Sequence, residues 1–83
     1  MYIGRACGVI PLNALLPGRR AKIVSVVAGR GLQRRLFEMG LHIGAEIKML
    51  HLQGGSVVVL KGETRILLGR GVSFKILVQP LNK

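Results

Sequence analysis

Apolar and polar positions alternate in short runs along this chain, with glycine at most of the breaks. Residues 21–28 (AKIVSVVA) form a β-branched run whose alternation is imperfect, which predicts a strand buried on much of both faces. Residues 45–53 predict a second strand, with Ile47, Met49 and His51 sharing one face by parity. Gly54-Gly55 is a hairpin signal that leads into residues 56–61, and Gly62-Glu63 turns these into residues 64–68. Residues 69–73 read as an irregular crossing, and residues 74–79 as a last strand stopped by Pro80. One segment has a different period. Leu32, Leu36 and Met39 fall at i, i+4 and i+7, the stripe of a short helix over residues 32–39, and Gly40 stands where a left-handed C-terminal cap is expected.

The start of the chain is less patterned. Residues 1–11 read as an extension, either an edge strand or an arm, with the domain proper in residues 12–83. Asn13 is placed to cap a short turn over residues 14–16 that Pro17-Gly18 stops. The expected fold is therefore all-β with one short helix. Five short strands bury little as a flat sheet, so a small barrel follows. A helix after the first barrel strand, rather than after the third, favours an SH3-like barrel over an OB-fold.

Composition narrows the function. Eighty-three residues make one domain with a thin core. Apolar residues are 49% of the chain, too many for disorder. Thirteen Lys and Arg stand against three acids, Glu38, Glu46 and Glu63, for a net charge of +10. Such a field suits nucleic acid, an anionic membrane face or an acidic protein, and does not choose among them. Base-stacking barrels present several rings, whereas Tyr2, Phe37 and Phe74 are the only ones here, which weighs against nucleic acid. Cys7 is the single cysteine, so no intrachain disulfide forms and a reducing cytoplasm is the expected setting. No apolar run approaches the ~20 residues of a spanning helix, and no signal peptide is evident. Membrane insertion is not expected, while weak self-association is compatible with this reading.

Catalytic groups are scarce. A carboxylate pair would need two of the three glutamates to meet, and Cys7 with a histidine lies in the least patterned part of the chain. Gly29-Arg30-Gly31 and Gly69-Arg70-Gly71 read as turns, since neither continues into a phosphate-binding fingerprint. His42 and His51 are outside common zinc spacings. His42 is expected in a solvated turn and His51 half-buried and hydrogen-bonded. No enzyme activity, metal site or cofactor is expected. The arginine doublets, Arg19-Arg20 and Arg34-Arg35, suit a solvated face as well as a contact face. The helix face opposite the core carries Arg30, Arg34 and Glu38, with Arg35 at its margin, and these are the candidate partner-binding residues.

Residues 34–44, RRLFEMGLHIG, strongly resemble the RL-x-x-(M/L)-G-(L/M)-x-P-G signature of the ferrous iron transport protein A (FeoA) family. Leu15-x-Pro17-Gly18 with Ala21 and Ile23 is similar to the family's opening. Ile47-x-Met49, Ile66-x-Leu68 and Ile76-x-Val78 are similar to its later strands. The resemblance covers roughly residues 12–79. Ile43 replaces the usual proline before Gly44, and residues 1–11 are outside the family core. The same module also ends iron- and manganese-dependent repressors, and no room is seen here for their helix-turn-helix half. The resemblance implies an SH3-like barrel in the cytoplasm, at the membrane only through its partner. It implies a regulator or accessory of FeoB, the membrane ferrous iron transporter, docking on that protein's cytoplasmic GTPase region. A basic nucleic-acid-binding barrel is the alternative.

Overall fold

Two glycine-led hairpins build the centre of the molecule, for which a computed structural model describes residues 8–81. Gly54 and Gly55 both lie at positive φ, 60° and 89°, as a type I′ turn requires. They join β3 (Glu46–Gln53) to β4 (Ser56–Lys61). Gly62, at φ 62°, opens the tight turn from β4 into β5 (Thr64–Leu68). β2 (Arg20–Val26) pairs with β3 on one side and with β6 (Ile76–Pro80) on the other. A two-residue strand, β1 (Ile10–Pro11), pairs with the outer edge of β6. All pairings are antiparallel, in the order β1-β6-β2-β3-β4-β5.

Each of the five longer strands sends one i, i+2 pair inward: Ala21 and Ile23, Ile47 and Met49, Val57 and Val59, Ile66 and Leu68, Ile76 and Val78. All ten belong to one buried cluster. A flat sheet would keep β5 far from β6, so the shared cluster means that the sheet curls upon itself into the expected SH3-like barrel. Leu12 and Leu15, from a 3₁₀ turn over Leu12–Ala14 and the residue after it, close one end of the core.

The helix α1 (Arg30–Glu38) follows β2 and contributes Leu36 to the core. It starts two residues earlier than the stripe predicts, with extended Gly29 before it. Its end is a Schellman turn. The N–H of Leu41 donates to the Leu36 carbonyl at 2.8 Å, and that of Gly40 to the Phe37 carbonyl at 2.9 Å. Gly40 takes the left-handed position at φ 86°, where an added Cβ would also meet the Lys61 stem at 3.0 Å. Leu41 and Leu36, both buried, make the apolar contact that accompanies this motif.

Several expectations change in detail. Met39 does not complete the core stripe: it is the C-cap and is 42% exposed, and Leu41 takes the inner position after the chain reverses. His51 is exposed, because a bulge between Met49 and His51 shifts parity and turns it outward, where its Nε2 lies 3.2 Å from Gln53 Oε1. Asn13 sits inside the 3₁₀ turn and caps nothing; Pro11 precedes that turn. The crossing after β5 contains one helical turn, α2 (Arg70–Ser73). Ser73 is fully buried there, and its hydroxyl donates to the Gly55 carbonyl at 2.6 Å, tying α2 to the β3–β4 hairpin. The last strand begins at Ile76, since Phe74 and Lys75 complete the turn out of α2, and it runs through Pro80. Cys7 lies outside the described residues, as does most of the 1–11 extension, whose residues Ile10 and Pro11 form the edge strand.

Candidate docking groove beside the helix

Three segments converge on one flank of α1. The loop after β2 is held to the helix by Gln33, whose side-chain amide donates to the Ala28 carbonyl at 2.8 Å and more weakly to that of Val26 at 3.4 Å. With Leu36 fixed inward, the 100° advance per residue places Gln33, Phe37, Arg30 and Arg34 along the same side of the helix. Beyond the Schellman turn, His42 and Ile43 project outward while the backbone is pinned to β2. The N–H of Gly44 donates to the Ile23 carbonyl at 2.8 Å, and that of Ile23 to the Ala45 carbonyl at 2.9 Å.

An open groove of about 830 Å³ runs between these segments, lined by Val26, Arg30, Arg34, Phe37, Leu41 and Ile43 among others. Phe37 is 65% exposed and Ile43 67% exposed. The Phe37 ring leans on that of His42, with centroids 5.4 Å apart and planes at 49°. His42 is further fixed by its Nδ1, 3.1 Å from the Ile43 carbonyl. Phe37 and Ile43 thus put two large apolar side chains in solvent on a frame held by backbone hydrogen bonds. The charges on the rim are cationic. Arg34 Nε lies 3.8 Å from Glu38 Oε2, an exposed pair one helical turn apart that contributes little to stability.

Among the four residues singled out on the helix, Arg30 and Arg34 line the groove. Glu38 borders it through its pairing with Arg34, and Arg35 projects from the opposite flank beside Met39. Phe37 and Ile43 were not among them. Phe37 is a single position off the core stripe, and that offset is the signal that reveals an apolar residue turned to solvent. Among the described residues no three histidine or carboxylate side chains converge as metal ligands. No helix among the described residues is long and apolar enough to cross a membrane.

The molecule is a small antiparallel barrel of SH3-like fold, with a helix after its first long strand and an apolar, arginine-rimmed groove beside that helix. The chain belongs to the FeoA family: residues 10–80 match the FeoA domain. It is 33% identical over 69 residues to a Methanocaldococcus jannaschii protein assigned as Fe(2+) transport protein A, spanning 83% of this chain and 84% of that one. The crystal structure of an iron uptake regulatory protein, FeoA, superposes with a TM-score of 0.82 at 28% identity, covering 88% of this chain and 99% of the other. The FeoA protein of Chlorobium tepidum gives a TM-score of 0.79 at 29% identity, covering 88% and 71%. The same fold recurs in IdeR of T. acidophilum, with a TM-score of 0.77 at 22% identity, where 95% of this chain covers 35% of that protein.

Proposed function

We propose that this chain acts in ferrous iron transport as a non-enzymatic accessory and regulator of a FeoB-type transporter, and that it docks on that transporter's cytoplasmic GTPase region through the groove beside α1. Membership of the FeoA family places it in Fe(2+) transport. The observation that carries the docking reading is the pairing of exposed Phe37 and Ile43 with Arg30 and Arg34 in one groove. Apolar anchors supply affinity once water is excluded, and rim arginines speed the encounter with an acidic surface. Such a module is held at the cytoplasmic face of the membrane by its partner.

The double substitution Arg30→Glu with Arg34→Glu tests the rim. Both side chains are solvent-facing, so the domain keeps its fold and melting temperature. Surface-immobilised transporter domain is expected to capture the double variant about tenfold more slowly than the unaltered chain at low salt, with the gap narrowing as salt rises. An unchanged association rate would remove the arginines from the interface.

A further inference from the structure

A different face of the barrel carries its own pattern. Strand register sets Arg20 opposite Lys48, Lys48 opposite Leu60, and Leu60 opposite Arg65. Directly opposed residues point to the same side of a sheet, so these four form one row across the outside of β2, β3, β4 and β5. At the usual strand spacing the row is about 14 Å long. The next row holds His51, Val58 and Leu67, and Leu67 is 74% exposed, beyond any other large apolar residue described. On the other side lie Lys22 and Glu46, with Glu63 in the turn beyond.

Like charges set directly opposite each other on a sheet disfavour it, and Arg20 faces Lys48 in this way. Arg20 Nη1 finds Glu46 Oε2 at 3.8 Å. Among the described residues the other ion pair is Arg34–Glu38, so Lys48 and Arg65 make none. Between Arg20, Lys48 and Leu60 the surface dips into a shallow depression of about 310 Å³; Glu46, paired with Arg20, also lines it, so its two cations outnumber the acid by one. His51 is the one aromatic side chain in the two rows, too few for a base-stacking platform. Cations that bind phosphate beside a leucine free to enter the acyl boundary are the composition of an interfacial lipid-binding surface.

We infer that the outer face of β2–β5 docks directly on an anionic phospholipid surface, with Arg20, Lys48 and Arg65 on headgroup phosphates and Leu67 reaching past them. This contact is separate from the groove beside α1, and the two face different partners.

Co-sedimentation with phosphatidylglycerol-containing vesicles, against pure phosphatidylcholine vesicles, tests the inference. The full chain should bind the anionic vesicles and leave the neutral ones. Arg20→Glu with Arg65→Glu should weaken that binding at least about tenfold, and Arg65→Glu alone about fivefold or more. Arg30→Glu with Arg34→Glu changes net charge equally but lies on the groove, and should stay within about threefold. Leu67→Ser, an exposed change that leaves the fold intact, should weaken binding without altering its salt dependence. Equal losses from both charge pairs would show diffuse attraction by net charge and overturn the inference. So would equal binding to neutral vesicles, no binding to anionic ones, or a preference for single-stranded RNA that the Arg20/Arg65 pair abolishes.

Discussion

Leu36→Ala is expected to lower the free energy of unfolding by about 3 kcal/mol, read as a shift of the urea midpoint with an unchanged slope. Leu36 is 1% exposed and is the residue of α1 that enters the core. It is also the apolar half of the Schellman contact with Leu41, so truncation opens a cavity and loosens the turn that sends His42 and Ile43 outward. A domain of this size has about 4–12 kcal/mol of stability in total, so the substitution removes a large share of it. A loss below about 1 kcal/mol would mean that the helix is not keyed into the barrel.

Phe37→Ala, one position further along the same helix, should do the opposite. The ring is 65% exposed, so stability should move by no more than about 0.5 kcal/mol. Affinity for the transporter's cytoplasmic domain should fall by about 30-fold, because aromatic anchors at the centre of an interface carry about 2 kcal/mol or more each. Equilibrium titration of the folded variant reads this. An affinity within threefold of the unaltered chain would assign Phe37 to bare surface and leave its contact with His42 without a binding role.

These adjacent residues also show what the amino-acid order reveals and what it withholds. Turns and strands were legible because each leaves a local mark. Gly54-Gly55 needs two positive φ angles, and each long strand repeats its inward residue at i+2. The helix was legible from Leu32 and Leu36, but its period could not be carried through Gly40. Met39 had already left the helix, and the inner position passed to Leu41, which no helical phase predicts. Parity failed in the same way at His51, because a bulge inserts a residue without needing a glycine to announce it. β1 is too short to show any period. The groove was only half legible: Arg30 and Arg34 follow from the helix alone, whereas Phe37 and Ile43 meet Val26 across three separate segments. That meeting depends on the side-chain amide of Gln33, which reaches the Ala28 carbonyl, and on the backbone of the Schellman turn.

Amide chemical shifts of the isotope-labelled chain, followed while the transporter's cytoplasmic domain is titrated in, locate the docking surface. Docking through the groove predicts that the shifted residues cluster at 29–43 and at Ser25 and Val26, with Phe37 and Ile43 among the largest changes. Shifts confined to the strands over residues 45–68, with residues 29–43 unmoved, would contradict it.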